Sequence, residues 1–138
     1  MDDNNHNPPM MIHRVSCTHP DQSQTAATLA IYEGQLLIIP IGEVEALNHY
    51  PVIRGTPHLR VRPDVIEDYK QKEAQFALFP LAEVLTWTEY IAYPLQDVTV
   101  TELTVDTMQI RTDDGTYRFG FRLVDAATVH ALDHHLRG

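Results

Sequence analysis

The sequence predicts an α+β protein, mainly antiparallel β: a bent sheet or partly open barrel closed by one C-terminal helix. Three observations carry this. Apolar and polar residues alternate on both sides of Asp114-Gly115, the period becomes helical after Leu123, and upstream Gly and Pro cut the chain into short runs rich in β-branched residues.

Taken in order, residues 1–11, with Pro8-Pro9 and several Asn, are expected to be disordered, and residues 12–138 to form a single domain. A chain of 138 residues can build one core without disulfide or metal staples. A strand is expected through Ile12–Cys17, then a turn around His19-Pro20-Asp21 and a polar loop through Gln24. Thr28–Tyr32 and Gln35–Ile41, separated by Glu33-Gly34, read as two strands of a hairpin or one long bent strand. Residues 43–62 are broken by Pro51, Gly55 and Pro57, and only Leu59-Arg60-Val61-Arg62 alternates like a strand.

Asp64–Lys72 reads as a solvated helix behind Pro63, with Asp68 and Lys72 placed for an i, i+4 pair, and Ala74–Phe79 resembles a strand. Leu81–Ile91 fits two periods. Leu81, Val84, Leu85 and Ile91 share a helical face, whereas Val84, Thr86, Thr88 and Tyr90 alternate; Thr86, Trp87, Thr88 and Tyr90 favour pleated surfaces, so strand is preferred. Phe79-Pro80-Leu81-Ala82-Glu83-Val84 and Tyr93-Pro94-Leu95-Gln96-Asp97-Val98 share one pattern, read as two strands entering through similar corners.

With Asp114 and Gly115 as the loop of a type I′ hairpin, Thr112 faces Tyr117, Ile110 faces Phe119 and Met108 faces Phe121. A three-residue loop that includes Asp113 would shift the pairing and spoil this match. The opposite face carries Gln109, Arg111, Arg118 and Arg122, with Arg111 directly across from Arg118. The final helix is expected to start at an Asp125 N-cap with Val124 stapled on Val129. Its apolar stripe is Val129, Leu132 and Leu136; His130 and His134 point away from that stripe and His135 lies at its border.

From Tyr93-Pro-Leu-Gln-Asp-Val through Met108-Gln-Ile-Arg-Thr-Asp-Asp-Gly-Thr-Tyr-Arg-Phe-Gly-Phe to the final helix, the chain resembles the second half of bacterial PH-like and GRAM-like domains. The resemblance implies a seven-strand bent sheet capped by a helix, and a binding or assembly module without obligatory catalytic residues. The family's basic lipid-binding loop has no matching Lys/Arg cluster here.

A net charge of -9 with ten basic residues disfavours nucleic acid and anionic membrane surfaces as partners. Local exceptions are Arg54, His58, Arg60 and Arg62, and the hairpin arginines. No apolar run is long enough to span a membrane, the N-terminus lacks the pattern of a secretory signal, and Cys17 is the sole cysteine; a cytoplasmic setting is expected.

Chemistry-bearing constellations are sparse. His130 and His134, four apart on a helix beside Asp133 and His135, have the spacing to hold one divalent ion, though no third ligand can be named. His6, His13, Cys17 and His19 form a looser set, and Cys17 with a histidine is the one nucleophile pair to consider. Trp87, Tyr90 and Tyr93 are placed to line a pocket or to sit in a β core. No phosphate loop, nucleophile elbow or cofactor motif occurs. The expected function is a non-enzymatic interaction or assembly module with a protein partner or self-association through an exposed sheet edge or the outer hairpin face. The alternatives are a small metal-binding protein or enzyme using His130/His134, and anion or lipid-headgroup binding at Arg111, Arg118 and Arg122.

Overall fold

The computed structural model of the chain describes residues 10–43, 63–120 and 126–137. Its strands are β1 (Met10–Thr18), β2 (Gln24–Tyr32), β3 (Gln35–Gly42), β4 (Ile91–Pro94), β5 (Thr99–Leu103), β6 (Thr107–Thr112) and β7 (Gly115–Gly120). The helices are α1 (Pro63–Leu78), α2 (Leu81–Val84) and α3 (Ala126–Arg137). The strands form one antiparallel sheet in the order β4-β3-β2-β1-β7-β6-β5, so β4 and β5 are its two edges.

β2 and β3 are the centre of gravity. Glu33 and Gly34 both take positive φ (52° and 77°), as a type I′ turn demands, and join them as a hairpin rather than one bent strand. Both strands are buried on both faces. On one face Ala27, Leu29, Ile31, Leu36 and Ile38 join Tyr93, Met108, Ile110, Tyr117, Phe119, Leu132 and Leu136 in the main core. On the other, Ala26, Ala30, Leu37, Ile39 and Ile41 pack against Tyr69 of α1 and Leu81 of α2. Pro40 is tolerated because it lies beyond the stretch of β3 that pairs with β4, at an irregularity in the β2–β3 register.

β1 solves a spacing problem. Its inward residues Ile12, Val15 and Cys17 do not alternate strictly, since Ile12 and Val15 are three apart. The register jumps between Ile12↔Leu29 and Val15↔Ala27, leaving His13 and Arg14 opposite Thr28 in a β-bulge, with Arg14 at φ 62°. The extra residue puts Ile12, Val15 and Cys17 on one face and turns His13 and Arg14 toward α1.

Several expectations are corrected. β1 begins at Met10, inside the segment expected to be disordered; residues 1–9 lie outside those described. The stretch Ala74–Phe79, expected as a strand, continues α1 to Leu78, because Tyr69 and Phe76, seven apart, lie on one face and pack toward the sheet. The predicted Asp68–Lys72 pair forms at 3.4 Å. Leu81–Ile91 is not a strand: Leu81 joins the second core and Val84 is also buried, both in a single helical turn, and β4 starts only at Ile91. The repeated aromatic-Pro-Leu pattern is real but marks helical turns rather than strand corners. Pro80 (φ -61°, ψ 149°) precedes α2, and Pro94 (φ -56°, ψ 140°) precedes a 3-10 turn over Leu95–Asp97.

The β6–β7 register also differs from expectation. The loop is Asp113-Asp114, so Met108 faces Phe119, Ile110 faces Tyr117 and Arg111 faces Thr116. Neither aspartate takes positive φ; Gly115 does, at 125°. Thr112 fixes this choice, its Oγ1 donating to Gly115 O (3.1 Å) and accepting from Asp114 N (3.1 Å). A shift of two in the pairing leaves every side chain on its predicted face but separates Arg111 from Arg118, which faces Gln109. The Asp125 cap, Val124 and Phe121 lie outside the described residues.

The sheet curls. Tyr93 on β4 reaches Tyr117 on β7 across the core, although three strands separate them in the pairing order. Tyr93 Oη donates to Asp114 Oδ2 (2.6 Å) and accepts from Tyr117 Oη (2.7 Å). Burial, then the Asp114 carboxylate and Tyr117, pushes the Tyr93 phenol well above its ordinary pKa; burial likewise raises Tyr117. A raised phenol pKa means the native state holds its proton more tightly, so the stability it contributes is intact below about pH 10 and is lost as pH climbs toward the folded value. Tyr93→Phe is expected to cost about 1–2 kcal/mol at neutral pH and to flatten the alkaline loss of stability, measured by urea unfolding from neutral to alkaline pH. Leu132→Ala, at a side chain only 1% exposed between α3 and the sheet, is expected to cost about 2–5 kcal/mol in the same assay.

Candidate functional site

The sheet has two edges, and they are not equivalent. Leu95 N–H donates to Gly34 O (3.0 Å), so alternation directs the N–H groups of Tyr93 and Ile91 toward β3 and leaves Ala92 and Pro94 facing outward. Pro94 has no N–H, and β4 is four residues long; this edge is blunted. β5 is longer, has no proline, and pairs with β6 alone among the described residues.

Beside β5 runs a groove of about 510 Å3, lined by Thr101, Glu102, Leu103, Thr104 and Val105 on one side and Val129, His130 and Asp133 of α3 on the other. The β5–β6 turn is stiffened by its threonines. Thr104 N donates to Thr107 O (2.8 Å), Thr104 Oγ1 lies 2.7 Å from Thr107 Oγ1, and Thr107 Oγ1 donates to Glu102 Oε2 (2.9 Å). Across the groove, Val129 and Asp133 are one helical turn apart, and His130 adjoins Val129 on the exposed side. A half-buried Leu103, a half-exposed Val105 and Val129 supply apolar contact; Glu102 and Asp133 supply acidic ends. The arrangement offers backbone hydrogen bonds, a shallow apolar seat and negative charge, and no nucleophile paired with a base.

The predicted site residues are dispersed. His130 lines this groove; His134 is exposed, its ring 6.1 Å from that of His135. Among the described residues no group of three His, Cys, Asp or Glu side chains could hold a metal ion. Arg111 and Arg118 lie exposed on the outer face of the hairpin, two register positions apart, and Arg122 lies outside the described residues, as do His6 and the Arg54–Arg62 segment.

The N-terminal set is split between two faces. Cys17 is fully buried in the main core; His19 Nε2 lies 3.0 Å from Thr25 Oγ1 with its ring against Tyr117; His13 faces α1. Trp87, Tyr90 and Tyr93 line no common pocket: Tyr93 is in the core, while Trp87 packs edge-on to Phe79 (5.2 Å) and donates to Gln75 Oε1 (3.2 Å) at the surface.

The groove was missed because its residues carry no motif. Thr101–Val105 reads as a short polar strand end, and only the placement of α3 beside it makes a site.

Burial pushes the Cys17 thiol up to about 12, outweighing a hydrogen bond with Thr25 that works the other way. The native protein is therefore expected to resist a disulfide exchange reagent at pH 8 and to react fully once denatured. Rapid native labelling would contradict this placement.

No helix among the described residues is long and apolar enough to cross a membrane. No family model matches the chain, and neither a curated protein nor a solved structure matches it.

Proposed function

We propose that the chain is a non-enzymatic interaction module, PH-like in the finer reading of its fold, that binds an extended peptide by strand addition to β5. One observation carries this reading: the β5 edge, which pairs with β6 alone among the described residues, lies beside a groove formed with α3, while the opposite edge is blunted. Strand addition draws affinity from the edge N–H and C=O groups and specificity from alternate side chains. Leu103, Val105 and Val129 would seat an apolar side chain, and Glu102 and Asp133 a basic one; a net charge of -9 favours the same partner over distance. The resemblance of the C-terminal third to PH-like domains, whose members need no catalytic residues, supports a binding role.

The reading is tested by NMR titration of the full chain with a short peptide alternating valine and lysine, and with its valine/glutamate counterpart. Saturable amide shifts are expected along Thr99–Val105 and Val129–Asp133 with the lysine peptide, at least fivefold tighter than with the glutamate peptide and lost in Val105→Asp. Shifts confined to other surfaces, or equal binding of both peptides, would sink it. A zinc titration run in parallel that moves His130 and His134 stoichiometrically would move the function to the metal-binding alternative.

A further inference from the structure

The β1 bulge and α1 enclose a second recess, on the face of the sheet away from the main core. His13, Lys70, Glu73, Ala74, Phe76 and Ala77 line a cleft of about 360 Å3, within the size range of small-ligand sites. Its polar groups are held from behind. His13 Nδ1 lies 3.0 Å from Oγ1 of Thr28, a side chain with no exposed surface, and the His13 ring rests at 51° to Phe76 with centroids 5.4 Å apart. Arg14 Nε donates to Glu73 Oε2 (3.3 Å), and Tyr69 Oη donates to the same oxygen (3.4 Å). Glu73 is thus compensated within the site.

This geometry is bought with strain. A non-glycine residue in the left-handed region is disfavoured by its Cβ, and Arg14 takes that conformation at φ 62° inside a strand. The bulge explains why Ile12, Val15 and Cys17 all face inward. It does not by itself require the outward pair to be His-Arg, facing a glutamate, a lysine and a phenylalanine.

We propose that this cleft binds a small anion bearing a flat apolar group, an aryl carboxylate or aryl phosphate, with Lys70 and His13 Nε2 meeting the anion and Phe76 its ring. Arg14 bonds the Glu73 carboxylate, and Lys70 and His13 are the basic groups of the cleft lining, in a chain whose net charge is -9. With Nδ1 engaged by Thr28, Nε2 is the ring nitrogen left for the cleft. Packing on its Thr28 and Phe76 side lowers the His13 pKa although part of the ring stays exposed; Glu73 opposes this and Arg14 adds to it. An anion reverses that balance, so binding raises the His13 pKa and affinity increases as pH falls through its titration. The charged and titratable groups facing the imidazole are Glu73 and Lys70 from α1 and Arg14 from its own strand; Tyr69 reaches it through Glu73.

The test is a titration of the full chain with phenyl phosphate, benzoate and inorganic phosphate, followed at the His13 and Phe76 ring signals. Expected are saturable shifts at both rings with phenyl phosphate and benzoate, several-fold weaker binding of inorganic phosphate, and, for benzoate, whose carboxylate stays ionised throughout, tighter binding as pH falls from 7.5 to 5.5. Lys70→Ala should weaken binding about tenfold, the loss expected for one charge-assisted contact. Lys70→Glu should abolish it; Lys70 is exposed, so both variants keep the fold. Absence of saturable shifts at His13 and Phe76, or unchanged affinity in Lys70→Glu and His13→Gln, would overturn the proposal. Leu103 and His130 report the β5 groove separately, so failure of one site leaves the other legible.

Discussion

Everything in this fold depends on a hairpin that cannot be left half-covered. β2 and β3 present apolar side chains on both faces, so water must be excluded from two sides at once. One side is covered by the sheet curling over it and by α3, whose Leu132 and Leu136 join Leu29, Ile38 and their neighbours in the main core. The other needs a separate layer, which α1 and α2 provide through Tyr69 and Leu81. Small residues on β2, Ala26 and Ala30, line that second face, while β3 contributes the larger Leu37, Ile39 and Ile41. The half of the sheet made by β6 and β7 has no such double demand, and Arg111, Thr116 and Arg118 stay in solvent on its outer face.

Curling sets up the functional asymmetry. Tyr93, Tyr117 and Asp114 tie the β4 side of the sheet to the β7 side, and a fully buried Thr28 and a bulged β1 hold the other face against α1. With Pro94 blunting β4, the hydrogen-bonding capacity that remains lies along β5, where α3 forms the opposite wall. The two recesses are therefore consequences of how the central hairpin is covered: one where α3 meets an edge, the other where α1 meets a bulge.

Much of the fold was legible locally. The antiparallel strands, the Glu33-Gly34 turn, the faces of the β6–β7 hairpin and the phase of the last helix follow from period and turn chemistry, which act over a few residues. Failures came where a distant partner decides. Ala74–Leu78 is a short, mostly apolar run that fits a strand as well as a helix, but Phe76 joins Tyr69 on one helical face because β2 and β3 need covering. The β6–β7 loop moved by one residue because the Thr112 hydroxyl bonds the loop backbone, a contest the Asp-Gly signal does not register. The spacing Ile12, Val15, Cys17 did contain the bulge, as an apolar series that breaks alternation by one.

The sequence by itself determined the coarse fold class, the inward face of the β6–β7 hairpin, and the exposure of His130 and His134, because these follow from side-chain periodicity. Only the tertiary structure decided the covering of the second sheet face, the inequality of the two edges, and the meeting of His13 with Phe76 and of Val129 with Leu103. The physical reason is that recesses are made by surfaces far apart in the chain. The residues that line them are chosen by the packing of other residues, whose burial drives the fold, and so leave no local pattern of their own.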